Sequence, residues 1–136
     1  MLESTHPNPG DRQKPISRLI LVEDDENVRR STTMMLRARG YKIDAYRDGT
    51  EFLMTHEFHD GDCLLIDYKM PRIDGLEVMR RLRAKKDKTP AIMITGFYSS
   101  TLRQKALDAG YSEILEKPAT PAALLAAVTL LLNGSV

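Results

Sequence analysis

Short apolar runs alternate with longer amphipathic stretches from Arg18 onward. Each run has the length of a β-strand, and four of the five are almost purely apolar; they are LILV (19–22), YKIDAY (41–46), CLLI (63–66), AIMIT (91–95) and EILE (113–116). Such runs are typical of parallel strands that are covered by helices on both faces. The pattern therefore predicts an α/β domain built from alternating β and α units.

The stretches between the runs carry apolar residues at helical spacing and finish at helix-ending residues. The first predicted helix includes residues 28–39 and ends at Gly40, and Asp48 is expected to cap a shorter second helix. The third includes residues 78–82, the fourth ends at Gly110, and the fifth runs from about 120 to 132. Five units with right-handed crossovers fit a small doubly wound sheet.

Composition excludes several classes of protein. The chain has 20 Lys and Arg against 19 Asp and Glu, a net charge of +1, which argues against binding nucleic acid or a membrane by bulk electrostatics. No stretch suits a signal peptide or a membrane span. The single cysteine, Cys63, fits a reducing compartment and is expected to be a small buried group, so we expect a cytoplasmic protein.

The ends of the chain differ in composition from its middle. Residues 1–16 hold three prolines and almost no bulky apolar side chains, which predicts a flexible N-terminal tail. The folded domain is expected over residues 17–132, followed by a short C-terminal tail over residues 133–136.

Acidic, hydroxyl and amine groups stand at the ends of four predicted strands. Four acids, residues 23–26, follow the first strand, Asp67 follows the third, Thr95 ends the fourth, and Lys117 follows the fifth. Ligands of open α/β sheets bind at the carboxyl ends of the strands, and crowded carboxylates favour Mg²⁺. These groups describe a phosphoryl-transfer site. Asp67 attacks phosphorus, Mg²⁺ and Lys117 neutralise the phosphoryl oxygens, and Thr95 donates a hydrogen bond.

These residues, in this order, resemble the receiver domain of two-component response regulators, of the chemotaxis-receiver type. The resemblance covers nearly all of the chain outside the tails. It is carried by LVEDDE at residues 21–26, the block D-x-x-M-P-x-x-D-G at 67–75, the strand end at 94–96, and Lys117 followed by Pro118. The resemblance implies a flavodoxin-like, five-stranded parallel sheet of order 2-1-3-4-5 with helices on both faces, and a cis peptide bond before Pro118.

The resemblance also implies a role for each site residue. Asp67 is the phosphoacceptor, Thr95 the switch hydroxyl and Lys117 the phosphoryl-binding amine, while Mg²⁺ is held by Glu23, Asp24, Asp67 and the backbone carbonyl of Lys69. Four consecutive acids allow three adjacent pairs. Counting back from the Val28 that opens the first helix selects Glu23 and Asp24 and leaves Asp25 to cap that helix.

The function implied is that of a bacterial signalling switch rather than an enzyme. A sensor histidine kinase or a histidine phosphotransfer protein donates the phosphoryl group to Asp67. The domain assists its own phosphorylation and dephosphorylation, and the face formed by the fourth helix, fifth strand and fifth helix changes. Two alternatives are a phosphorylation-independent adaptor and the receiver part of a longer transcription factor. A hydrolase is disfavoured because Lys69 stands where a second acid is normally found.

Some positions depart from the family pattern. Three positions before Lys117, where many receivers have an aromatic residue, stands Ile114; Tyr111 and Phe97 are nearby substitutes. In the family, the residues at Lys69 and Phe97 flank the phosphoryl group, and a cation with a bulky ring there predicts a long-lived phosphoaspartate.

Three further features are interpreted from pattern alone. The fifth helix is apolar on every side over residues 122–132, which predicts that its outer side forms a homodimer or binds a downstream protein. His56 and His59 are placed on the second helix. A metal bound by both is the less favoured interpretation, because no third ligand of a suitable type is evident. The basic run at residues 80–88 is interpreted as a solvated helix face rather than a nucleic-acid contact.

Overall fold

The computed structural model describes residues 18–132 and contains five strands, each followed by a helix. The strands are β1 (Arg18–Val22), β2 (Ile43–Tyr46), β3 (Asp62–Asp67), β4 (Ala91–Thr95) and β5 (Glu113–Glu116). The helices are α1 (Glu26–Ala38), α2 (Gly49–Thr55), α3 (Gly75–Ala84), α4 (Ser100–Ala109) and α5 (Pro121–Leu132). The two predicted tails, residues 1–16 and 133–136, lie outside the described residues, as does residue 17.

The strands form one parallel sheet in the order β2-β1-β3-β4-β5, which confirms the predicted fold. Strand order reverses between β1 and β3, where Val22 lies opposite Ile66. At such a reversal the following helices leave on opposite faces and open a crevice at the carboxyl ends of the strands. None of the helices in residues 18–132 is both long and apolar enough to cross a membrane.

Two apolar cores lie on opposite faces of the sheet because strand side chains alternate. One face contains β-strand residues Ile20, Val22, Leu64, Ile66, Ala91 and Met93, packed with α2, α3 and α4. The other contains Leu19, Leu21, Cys63, Leu65, Ile92 and Ile94, packed with α1 and α5. The thiol of Cys63 is free and buried, as predicted, and burial raises its pKa to about 12.

Side chains at the helix starts satisfy backbone groups that the helices leave unpaired. Asp25 accepts a hydrogen bond from the Val28 amide at 2.9 Å, and Asp48 accepts one from the Glu51 amide at 2.8 Å. Each is worth about 1 kcal/mol to its helix. Both predicted caps are confirmed, and the Asp25 side chain is engaged at the start of α1.

The placement of His56 and His59 on the second helix is wrong, because α2 ends before either residue. His56 is buried, with Nδ1 2.8 Å from the Tyr46 hydroxyl and Nε2 3.3 Å from an Asp62 oxygen. His59 instead lies beside Arg18, whose guanidinium is 3.1 Å from its Nδ1. The two imidazole rings therefore contact different side chains, although the His59 amide also donates to Asp62 Oδ2 at 3.0 Å.

The basic run at the end of α3 is only partly a solvated face. Arg80 and Arg81 form ion pairs with Glu77 one turn earlier. The half-buried Arg83 instead donates hydrogen bonds to the backbone carbonyls of Asp87, Thr89 and Gly110, and so ties the end of α3 to the end of α4.

Candidate phosphorylation site

The carboxyl ends of β1, β3, β4 and β5 bring five predicted site residues to one edge of the sheet: Glu23, Asp24, Asp67, Thr95 and Lys117. Asp67 is the last residue of β3 and lies opposite Ile94 of β4. Thr95 ends β4 beside Glu116, immediately before Lys117. The reason is general: parallel strands of similar length end at the same edge, so residues far apart in sequence meet there.

Three carboxylates gather at this edge. One oxygen from each of Glu23, Asp24 and Asp67 lies within 4.8 Å of the others. Glu23 and Asp67 are buried, whereas Asp24 is exposed. Within residues 18–132 this is the only such group of three acidic, histidine or cysteine ligands.

The ammonium group of Lys117 bridges two of these acids. Its Nζ donates to Glu23 Oε1 at 2.8 Å and to Asp67 Oδ2 at 3.1 Å. The Lys117–Pro118 peptide is cis, as the sequence resemblance implies. The Lys117 amide also donates to the Thr95 carbonyl at 2.7 Å, which fixes the start of the loop after β5 against β4.

The electrostatics of the site favour a cation. Burial, together with the neighbouring Glu23 charge, raises the pKa of Asp67 to about 7, although Lys117 opposes the rise. Burial also raises the pKa of Asp24, with a contribution from Glu23. Burial alone would lower the pKa of Lys117, but its hydrogen bonds and charge interactions with Glu23 and Asp67 outweigh this effect and raise it. Three acids with one shared amine leave negative charge uncompensated.

The donor set fits a hard divalent cation. All three side-chain ligands offer carboxylate oxygens, which are the ligands that Mg²⁺ prefers, and the exposed Asp24 leaves a side open for the waters that Mg²⁺ retains. The fourth predicted ligand is the backbone carbonyl of Lys69, two residues after Asp67 in the loop between β3 and α3.

The remaining predicted residues lie in β4, in β5 and in the loops that follow β3 and β4. Thr95 is fully buried and its Oγ1 accepts a hydrogen bond from the Phe97 amide at 2.8 Å, which leaves the hydroxyl proton free to be donated. The Lys69 ammonium lies 5.5 Å from the centre of the Phe97 ring. Ile114 is buried in the core below α4, while Phe97 is 61% exposed.

The sequence pattern does not indicate the contact of Arg29 with the acidic loop or the contact that Tyr111 makes with the start of α3. Arg29 donates to the backbone carbonyl of Glu23 at 2.9 Å and so holds the acidic loop in place. A cation in the first turn of a helix is electrostatically disfavoured, and this is the signal that could have identified it. Tyr111, named from sequence only as a substitute aromatic residue, is buried and donates its hydroxyl to the Gly75 carbonyl at 2.8 Å.

Comparison with known proteins decides the family. The profile described as the response regulator receiver domain matches residues 19–129. The chain belongs to the response regulator receiver family. Members of this bacterial family act in two-component signalling as phosphoacceptor switches and are generally not classed as enzymes. They are phosphorylated by histidine kinases and bind Mg²⁺ at an acidic pocket.

Individual relatives agree with this receiver assignment. The response regulator MprA of Mycobacterium avium is 39% identical over 116 residues, which are 85% of this chain and 51% of MprA. The chain thus spans about half the length of the curated relatives it matches. Among solved structures, the chemotaxis protein CheY4 of Vibrio cholerae has a TM-score of 0.79 at 26% identity, covering 86% of this chain and 99% of CheY4. A CheY-like receiver of Methanospirillum hungatei has a TM-score of 0.79 at 27% identity, covering 88% and 95%.

Proposed function

We propose that this chain is a phosphorylation-dependent switch in which Asp67 accepts a phosphoryl group from a phosphohistidine of a sensor histidine kinase or a histidine phosphotransfer protein. The observation that supports this most is the surrounding of the buried Asp67 carboxylate. An ammonium group lies 3.1 Å from its Oδ2, and one oxygen from each of two further carboxylates lies within 4.8 Å of an Asp67 oxygen. An ammonium group and a set of metal ligands beside one buried carboxylate would neutralise the charge of a phosphoryl group attached there.

The proposed step balances as an in-line displacement. An oxygen of Asp67 attacks phosphorus, the bond between phosphorus and the histidine nitrogen breaks, and the imidazole leaves with its electron pair and takes up a proton. Hydrolysis later returns the Asp67 carboxylate and releases inorganic phosphate. The groups around Asp67 assist both steps. The domain therefore promotes its own phosphorylation and its own dephosphorylation.

Each neighbouring group has one proposed task in this step. Glu23, Asp24, Asp67 and the Lys69 carbonyl would hold Mg²⁺, which when bound neutralises charge on the phosphoryl oxygens. Lys117 neutralises the same developing charge from the other side. Thr95 donates its free hydroxyl proton to a phosphoryl oxygen.

Movement of Thr95 supplies the link to output. Its hydroxyl is held by the Phe97 amide, at the start of the loop that leads into α4. A phosphoryl group that draws the hydroxyl toward Asp67 removes this bond and biases the face formed by α4, β5 and α5 between two states. A phosphorylation-independent adaptor would have no use for the uncompensated negative charge at Asp67.

We also propose the bounds of the domain and the surface that its partner reads. The receiver unit spans residues 17–132, with tails over residues 1–16 and 133–136. A downstream protein or a second copy of the chain reads the α4–β5–α5 face, and we propose the second copy for the outer side of α5. That side carries apolar side chains without charges, and Leu130 is 54% exposed.

Lys117 tests the chemistry. Phosphorylation by acetyl phosphate with Mg²⁺ should be about a hundredfold slower in Lys117→Met, because a cation beside the transferred group is lost. Chelation with EDTA should slow the wild type comparably. The matched control is Lys85→Met, an exposed lysine at the end of α3, which should retain the wild-type rate. Equal rates in Lys117→Met and the wild type would contradict the proposed site.

Leu130 tests the α5 surface. Sedimentation velocity across a concentration series should show association of the wild type that Leu130→Lys abolishes, with little change in the unfolding temperature because the side chain is exposed. Lys85→Glu at the end of α3 is a charge-changing control at an exposed position outside the α4–β5–α5 face. A wild type that is monomeric at every concentration, with and without acetyl phosphate, would contradict a homodimer.

A further inference from the structure

The residue Tyr111 occupies the turn between α4 and β5, and its backbone is fixed at both sides. Gly110 ends α4 with φ of 120°, a conformation that glycine adopts without strain. The Tyr111 amide then donates to the Ala106 carbonyl at 3.0 Å, and the Ser112 amide donates to the Ala91 carbonyl, at the first residue of β4, at 2.8 Å. The ring therefore starts from a rigid corner at the amino-terminal edge of the sheet.

From that corner the buried Tyr111 side chain reaches the first residue of α3. It is 3% exposed and packs with Met93, Leu102 and Ile114 in the core below α3 and α4. Its hydroxyl donates to the carbonyl of Gly75, the first residue of α3, at 2.8 Å. Burial raises the pKa of the phenol well above its usual range, so the hydroxyl keeps its proton and remains a donor.

Gly75 lies directly against the backbone of the phosphoacceptor. A Cβ atom at this position would lie 2.7 Å from the Asp67 carbonyl oxygen and 3.1 Å from the Tyr68 Cα. The Gly75 amide also donates to the Tyr68 carbonyl at 2.8 Å. Because no side chain separates the two segments, a shift of Gly75 is transmitted to Asp67.

We infer that Tyr111 is a positioning residue for the reaction at Asp67. Its hydroxyl fixes the carbonyl of Gly75 and thereby the backbone of the residue that accepts the phosphoryl group. This inference rests on the proposed function of Asp67. Tyr111 touches no reacting atom; it acts through Gly75, and it connects the corner between α4 and β5 to the phosphoacceptor through one side chain.

A tyrosine elsewhere in the same core provides a matched control. The hydroxyl of Tyr46 lies 2.8 Å from His56 Nδ1, and its ring packs on the same core as that of Tyr111. Tyr111→Phe and Tyr46→Phe each remove one hydroxyl and keep the ring. A loss of stability common to both therefore reports on the core, whereas an effect on phosphorylation in Tyr111→Phe alone reports on positioning.

The test compares both variants with the wild type in two measurements. With Mg²⁺ and increasing acetyl phosphate, Tyr111→Phe should lower the maximal phosphorylation rate about fivefold, the equivalent of one hydrogen bond, without changing the half-saturating concentration. Hydrogen exchange should be faster at the Gly75 amide. Tyr46→Phe should leave both at wild-type values.

The outcomes separate the two proposals. If the wild type is phosphorylated and Tyr111→Phe has the same maximal rate as the wild type, the positioning role alone is overturned. Equal slowing in Tyr46→Phe, or a change only in the half-saturating concentration, also overturns it. A wild type that takes up no phosphoryl group from acetyl phosphate or from a phosphorylated histidine phosphotransfer protein overturns the proposed function and this inference together.

Discussion

Removing the charge of Asp67 should stabilise the domain when Mg²⁺ is absent. The residue Asp67 is 6% exposed and shares one ammonium group with Glu23, while Asp24 adds a third negative charge. Asp67→Asn keeps the shape of the side chain and removes one of the crowded charges. Lys117 then retains Glu23 as its partner, so no buried charge is left unpaired.

The magnitude follows from the pKa of Asp67. That pKa is raised from 3.8 to about 7, and each unit corresponds to about 1.4 kcal/mol. The charged carboxylate therefore costs the folded state about 4 kcal/mol above pH 7. Since the asparagine amide recovers only part of this in a polar pocket, we expect a gain of about 2 to 4 kcal/mol, or roughly 5–15 °C in unfolding temperature.

The gain should depend on pH in a defined direction. The pKa of Asp67 is higher in the folded state than in the unfolded state. Its contribution to stability is therefore complete at a pH below the unfolded pKa of 3.8, and it is lost as the pH rises through about 7. The stability difference between Asp67→Asn and the wild type should therefore be largest above pH 7 and shrink on acidification. Mg²⁺ should stabilise the wild type much more than the variant, by mass action.

Calorimetric unfolding in EDTA across this pH range measures the effect. Asp108→Asn is the control, because that carboxylate is exposed and its partner is the neutral Gln104 amide. Asp108→Asn should be close to the wild type at every pH. A variant Asp67→Asn no more stable than the wild type above pH 7, or a gain that is independent of pH, would refute the reasoning.

Three further predictions concern the surroundings of the site. Gly75→Ala should lower the free energy of unfolding in urea by about 1–3 kcal/mol and slow phosphorylation, because its Cβ would meet a backbone oxygen at 2.7 Å. Gly96→Ala should not lower stability, because no atom lies within 4 Å of its Cβ position. Lys69→Asn and Phe97→Ala should each shorten the phosphoaspartate lifetime about threefold or more in a dephosphorylation assay, since both open the site to water; an unchanged lifetime would contradict this. Burial lowers the pKa of His56 below 6.5, so its contribution to stability is complete above that pH and is lost on acidification. His56→Gln should therefore lose less unfolding free energy than the wild type between about pH 7.5 and about pH 5.5, and equal losses would contradict it.

The strands and their order could be predicted because local signals and topology agree. Buried parallel strands read as continuous apolar runs, and right-handed crossovers restrict their arrangement. The caps Asp25 and Asp48 could be identified because capping depends on residues three positions apart. The carboxyl-edge rule then brought Asp67 and Lys117 together without any knowledge of distances.

Contacts between distant segments could not be predicted in this way. The sequence pattern places His56 on the second helix, and it gives no sign of the contacts with Tyr46 in β2 and Asp62 in β3 that hold His56 in the core. The bond from Tyr111 to Gly75 spans 36 positions, and no local pattern indicates it. Such hydrogen bonds follow from the assembled core.

The fifth helix shows a limit of composition as a signal. Its apolar residues predicted a fully covered helix, and Leu124, Ala127 and Val128 are indeed buried. Its outer side includes the alanines Ala122 and Ala126, which add little apolar surface each. The interface on that side stays a prediction, because pattern alone does not measure the area available for binding.

The central claim is that Asp67 accepts a phosphoryl group, and intact mass measures it most directly. After incubation with Mg²⁺ and acetyl phosphate, the wild type and Asp108→Asn should each gain about 80 Da, and Asp67→Asn should gain nothing. An equal gain in Asp67→Asn would place the phosphoryl group elsewhere. No gain in the wild type from acetyl phosphate or from a phosphorylated histidine phosphotransfer protein would contradict the switch.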